Sequence, residues 1–285
     1  MRNTKYLTGL LLLLLAAVFP GCNKDTNTFI DYKPYLNTAR DYANAQQLTT
    51  RLINTMLKAG SDSVLNTTGI NTDIDKAKCT FVYDSVSDSS FYEAEYNSWG
   101  TIDPYQRRRG GIIRIALDGP VSDSGVSGSI NLVNFHYEFD SLKAINFRFK
   151  NEGTGSNGNR IYRFSADSLI WEVDTNRTIS WQFDQLYEQK SDDIDSGFII
   201  SGNLNGISYY NISFSAVIAD SSRLVDNMDC NWLKDGIVYL SYSDVQNSQM
   251  LFPPDNMCMN YYQYIINDNR FDGLIENFYF NHKTK

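Results

Sequence analysis

Few residues in this chain have the means to do covalent or ionic chemistry. The sequence holds four cysteines and two histidines, and its one basic run is Arg107-Arg108-Arg109. A general base needs a nucleophile within reach and an acid to orient it. His136 lies in Asn134-Phe135-His136-Tyr137, where the aromatic neighbours claim the core face, so its imidazole is expected on the wet face. No G-x-S-x-G motif singles out a nucleophile for it. His282 sits in the polar tail, and two histidines leave little material for a multi-His metal site. The arginine run has two readings: ion pairing with nearby acids such as Asp103, or an anion site for a sulfated glycan or a lipid phosphate. Asp192, Asp193 and Asp195 precede Gly197 in an acidic loop, but their spacing does not fit D-x-[DN]-x-[DN]-G, so a solvated turn is expected. No catalytic residue, metal site or cofactor is assigned.

Aromatic residues are the other candidates, because exposed rings can stack on sugars. They make up 14% of the chain, enough apolar surface to offset the entropy of ordering it. Trp99, Trp171, Trp181 and Trp232 are scattered along it, and Tyr209-Tyr210 and Tyr261-Tyr262 are expected to place one ring on each face of a strand. Most of these rings should be core or cross-strand pairs. The net charge of −8, with no long basic stripe, excludes a nucleic-acid partner.

The elements that carry these residues begin with an address. Arg2 and Lys5 precede an apolar run over Gly9–Phe19. It is shorter than the ~20 residues of a membrane span and fits a secretory signal over residues 1–21. Phe19-Pro20-Gly21-Cys22 resembles the lipobox of bacterial lipoproteins, which implies lipidation of Cys22 and a membrane partner reached through that anchor. The mature chain then loses Arg2 and Lys5 but no acid, and carries −10. Residues 22–34 read as a polar tether. Asn23-Lys24-Asp25 partly resembles a Bacteroidota surface-export signal and favours the cell-surface side of the outer membrane over the periplasmic side.

Next comes a helix over residues 35–60. Leu48, Leu52, Ile53, Met56 and Leu57 share one face at the 3.6-residue period, Thr38–Asp41 reads as a capping box, and Gly60 is a natural stop. Gln46, Gln47, Arg51 and Lys58 form its polar face, and the helix is expected to lie on a sheet. From about residue 78 the period becomes two: Cys79/Phe81/Tyr83, Ile113/Ile115/Leu117, Phe135/Tyr137/Phe139, Ile145/Phe147/Phe149 and onward to Phe278/Phe280. About twelve half-buried strands are expected. Asp-Ser occurs eight times, from Asp62-Ser63 to Asp220-Ser221, and its turn chemistry punctuates these strands. Four of the pairs continue with Val or Leu and are similar to a short O-glycosylation motif. Residues 61–285 are therefore expected to form a single all-β domain, an antiparallel hairpin meander closed into a curled sheet, sandwich or open barrel.

Asp103-Pro-Tyr-Gln-Arg107-Arg-Arg109-Gly-Gly111 resembles the pattern D-x-x-G-R-x-R-x-G of an uncharacterised family of β-rich Bacteroidota lipoproteins. The Asn151–Asn159 loop, Thr178–Trp181, Ile200-Ser201-Gly202, Cys230-Asn231-Trp232 with Gly236, and Cys258 with Asn260 follow in that family's order. The likeness spans roughly residues 79–276. Gln106 stands where the pattern has Gly, Thr101 where the family has Cys, and Met259 where it has Asp. Family members tend to carry four cysteines, so the resemblance implies a Cys230–Cys258 disulfide, with Cys79 left as a buried thiol by Thr101. Pairing of Cys79 with either of the others stays open. The resemblance supplies no activity. The sequence therefore points to a non-enzymatic binding or structural lipoprotein of the bacterial outer membrane, with a glycan or an envelope protein as partner. The alternatives are a glycan-binding surface lipoprotein and a hydrolase with paired carboxylates.

Overall fold

The computed structural model describes residues 31–275 except 86–88, 105, 175, 176 and 246. The expected signal segment, Cys22, most of the tether, the Phe278/Phe280 strand and His282 lie outside the described residues. From Lys33 onward the chain forms one compact unit.

Helix α1 runs Lys33–Ser61. Pro34 stands in its first turn, where a missing N–H costs nothing. Thr38 lies inside the helix and its hydroxyl donates to the Pro34 carbonyl at 3.0 Å, so the expected capping box does not cap it. Leu48, Leu52, Ile53, Met56 and Leu57 are buried as the period requires, but so are Gln46, Gln47 and Arg51. The helix does not lie on a sheet with its polar face in water; the sheet surrounds it. A helix buried all round is ordinarily apolar all round. Here the sheet supplies inward polar partners instead. Gln46 and Gln185 exchange amide hydrogen bonds at 2.6 and 3.1 Å, Trp181 Nε1 donates to Thr49 at 2.9 Å, and Gln47 donates to Asn231 O at 3.1 Å. A short helix α2 follows at Ser63–Thr68. Asp62 caps it by accepting the Leu65 N–H at 2.6 Å, so this Asp-Ser pair opens a helix rather than a strand turn.

The strands are β1 Ile70–Ile74, β2 Ala77–Asp84, β3 Ser89–Ile102, β4 Arg108–Leu117, β5 Ser127–Tyr137, β6 Asp140–Ile145, β7 Phe147–Thr154 and β8 Arg160–Asp174. They continue as β9 Arg177–Gln189, β10 Phe198–Ile207, β11 Ser213–Ile218, β12 Leu224–Asp226, β13 Ile237–Tyr242, β14 Ser248–Leu251, β15 Tyr261–Ile266 and β16 Asn269–Leu274. All sixteen belong to one antiparallel sheet in near-sequential order, with β12 added on β10 and β7 lying between β5 and β8. This is the expected meander, as a single curled sheet and not a sandwich. Among the described residues β1 and β16 do not pair with each other. Inward residues of β4, β9 and β13 (Arg109, Trp181, Gln185 and Tyr242) all hydrogen-bond α1, so the curled sheet holds the helix on its inner face.

Period two holds along most strands: Phe147, Phe149, Phe164, Phe183, Leu204, Ala216 and Leu240 face inward. Three expected core residues do not. Ile145 is exposed because Asn146, at φ 50°, flips the alternation between β6 and β7. Phe139 is exposed because Glu138 and Phe139, at φ 53° and 75°, form the two-residue turn between β5 and β6. Phe81, though in phase with the fully buried Cys79, is half exposed and packs on Tyr92 at 5.4 Å. Cys230 and Cys258 are joined in a disulfide, and Cys79 is the free, buried thiol.

Candidate functional site

The arginine run divides by burial. The Asp103–Arg107 turn joins β3 to β4, and Asp103 closes it by accepting the Arg107 N–H at 2.8 Å. Gln106 adopts φ 61° there, a conformation glycine takes freely, and it is the position where the resembled pattern has Gly. Asp103 and Arg109 are both fully buried and pair at 2.7 Å. Arg109 also donates to Thr55 of α1 at 3.0 Å and to the Tyr96 hydroxyl at 3.1 Å. Thr55 in turn donates to Asp75 at 2.8 Å, and Lys58 pairs with Asp75 at 3.3 Å. Burial alone would raise the Asp75 carboxyl, but Arg109 and Lys58 hold it below its ordinary value. This network pins the hairpin to the helix. Arg107 is nearly buried, 5.1 Å over the Trp232 ring and 3.8 Å from Glu138. The plainer reading of the run, ion pairing with Asp103, therefore holds for Arg109.

Arg108 faces outward. Its guanidinium lies over the Phe139 ring at 4.6 Å and donates to the Trp99 carbonyl at 3.0 Å. Trp99 is 84% exposed, the most exposed large apolar residue among those described. It sits in an irregular stretch of β3, where pairing with β4 jumps from Tyr96↔Gly111 to Thr101↔Arg109. Asn97 holds this stretch by accepting the Trp99 N–H at 3.0 Å, and Gly100 turns it at φ 90°, where a side chain would run into Arg108. Trp99, Arg108, Phe139, His136 and the glycines at 100 and 110 line a cavity of about 190 Å³. His136 is exposed on the outer face, as expected.

The structure leaves the other sequence candidates apart from this cradle. Trp171 and Trp181 are core residues and Trp232 is half-buried under Arg107. Asp193 caps the turn Ile194–Ser196. Among the described residues no group of three or more His, Cys, Asp or Glu could hold a metal ion. Tyr209 and Tyr210 do not lie on opposite faces of a strand. They occupy the β10–β11 turn with ring centroids 5.3 Å apart at 78°, and Arg177 lies over Tyr209 at 4.8 Å. Neither Trp99 with Phe139 nor Arg177 with Tyr209 was singled out from sequence; the glycine-bearing bulge after Trp99 is the one local signal for the first.

Ser141 is opposite His136, and Glu172 is opposite Ser141. In a hydrolytic triad the acid orients the base. Here the acid lies on the far side of the serine and is engaged by Lys143.

The chain matches no protein-family profile, and no curated protein or solved structure is significantly similar to it.

Proposed function

We propose that this chain is a non-enzymatic binding lipoprotein of a bacterial outer membrane, tethered through a lipidated Cys22 and facing the cell surface, and that it holds carbohydrate at the Trp99 cradle. One observation carries the ligand reading: two costs fall on the same spot. Leaving a large apolar side chain in water forgoes roughly 1.5–3 kcal/mol of burial. Holding a bulky residue such as Phe139 at positive φ costs on the order of 1–3 kcal/mol. Trp99 offers a stacking face, Arg108 and His136 offer polar contacts, and the cavity between them suits a single sugar ring. The resemblance to envelope lipoproteins and the signal-like N-terminus support the location.

Affinity electrophoresis through gels containing acidic or neutral polysaccharide tests the ligand. The wild-type chain is expected to be retarded in at least one gel and Trp99→Ala to be retarded clearly less, while Tyr239→Ala, on an exposed strand elsewhere, behaves as wild type. Equal mobility of Trp99→Ala and wild type in every gel refutes the site. Palmitate labelling of the wild-type chain but not of Cys22→Ala is the expected result for the anchor.

A further inference from the structure

The Trp99 cradle has a counterpart. Arg177, Thr178, Ser180, Ile207, Tyr209 and Tyr210 line a second depression, of about 470 Å³, with the same ingredients: an arginine on an aromatic ring beside an exposed aromatic. The Ser208–Asn211 turn that carries the tyrosines is fastened from inside. Thr38 of α1 bonds Ser208 at 3.1 Å, and the buried Asp41 accepts the Tyr209 N–H at 2.9 Å.

Strand register shows how the two cradles are related. Gly110, in the wall of the first, is opposite His136; His136 is opposite Ser141, Ser141 opposite Glu172, and Glu172 opposite Thr178, in the wall of the second. The four side chains after Gly110 all project from the outer face and all can hydrogen-bond. At ~4.8 Å per strand the row is roughly 19 Å long. Its charges are Arg108 and Arg177 at the ends, with Glu138, which pairs with Arg107, beside Arg108 and Asp174 opposite Arg177 in the register; between the ends Glu172 is neutralised by its pair with Lys143. Counted with Arg107 and Lys143 the row carries a small net positive charge, on a chain whose net charge is −8.

We propose that the two cradles are the ends of one site for a linear acidic polysaccharide, whose rings stack at Trp99 and Tyr210 and whose carboxylate or sulfate groups meet Arg108 and Arg177. This rests on the carbohydrate reading above and adds the charge and the length of the ligand. Occupying both ends at once makes the second contact intramolecular, so a chain long enough to span the row gains affinity that two separate short fragments do not.

Calorimetric titration of the full chain with galacturonic acid dimer and hexamer, and with an uncharged glucan hexamer, tests it. The expected result is two dimers but one acidic hexamer per chain, with the hexamer on the order of 100-fold tighter. The uncharged hexamer binds more weakly, and added salt weakens the acidic one. Arg177→Ala/Tyr210→Ala, at exposed positions that leave Tyr209 and its bond to Asp41 in place, is expected to lower hexamer affinity to that of the dimer and to halve the dimer stoichiometry. Circular dichroism of that variant confirms folding. A dimer that binds once per chain, or a hexamer whose affinity is unchanged in the double variant, overturns the two-ended site but leaves the Trp99 cradle standing. Failure of every oligomer, charged or not, to bind the wild type overturns both.

Discussion

Replacing Arg109 by Met should be the most damaging single change near the candidate site. Arg109 is fully buried and its charge is answered from three sides: Asp103 at 2.7 Å, the Tyr96 hydroxyl at 3.1 Å and Thr55 at 3.0 Å, with Asp75 bonded to the same threonine. Methionine keeps much of the volume but leaves two buried carboxylates without that cation. Breaking a buried ion pair from one side costs about 3–5 kcal/mol. For a chain of this size that lowers the melting temperature by roughly 6–20 °C. Arg109→Lys should lie between, since an ammonium cannot reproduce contacts made from both Nε and a terminal nitrogen. Urea unfolding followed by tryptophan fluorescence measures the loss. The same variants should weaken ligand retention, because Asp103 shapes the turn that presents Arg108. A loss below about 1 kcal/mol, typical of exposed pairs, would refute the view that this network anchors the hairpin.

Other consequences can be checked separately. Burial raises the Asp41 carboxyl to about 7, against the lowering effects of the Tyr209 N–H and Arg40. A folded-state value above the unfolded ~3.9 means that stability is full below pH ~4 and falls as pH rises through 7, by at most about 4 kcal/mol. Asp41→Asn should flatten that slope in a pH series of urea melts; an unchanged slope contradicts the assignment. The Cys230–Cys258 bridge spans 28 residues and should contribute about 3–4 kcal/mol, read as the difference between oxidised and Cys230→Ser/Cys258→Ser chains. Burial pushes the Cys79 thiol up to about 12, so a thiol reagent at neutral pH should label it only after unfolding.

The meander was legible because most strands pair large inward residues with polar outward ones, as in Phe147-Arg148-Phe149, and because Asp-Ser and glycine loops separate them. Strand β3 was not, since Glu93-Ala94-Glu95-Tyr96 buries only one large side chain per two turns of the pleat. Positive-φ residues at 138, 139 and 146 shift which side chains face inward, and nothing in the alternation of Phe135, Tyr137 and Phe139 reveals such a shift. The polar face of α1 misled for a different reason. Gln46, Gln47 and Arg51 find partners at Gln185, Asn231 and Cys230, far along the chain, so their burial depends on a sheet that no local pattern describes. The three arginines were visible as a run, but only the Asp103 turn decides that Arg109 points to the helix and Arg108 to the surface. The Trp99 cradle combines three segments, and the Tyr209 cradle combines two hairpins.

Trp99 is itself the most direct probe of the proposed site, because Trp171 and Trp181 are buried and Trp232 lies under Arg107. Titrating the full chain with acidic oligosaccharide should shift or quench its tryptophan emission in a saturable way, and Trp99→Phe should abolish that change while reducing affinity. A saturable change that persists undiminished in Trp99→Phe, or binding with no change in the wild type, would contradict the placement of the ligand at this cradle.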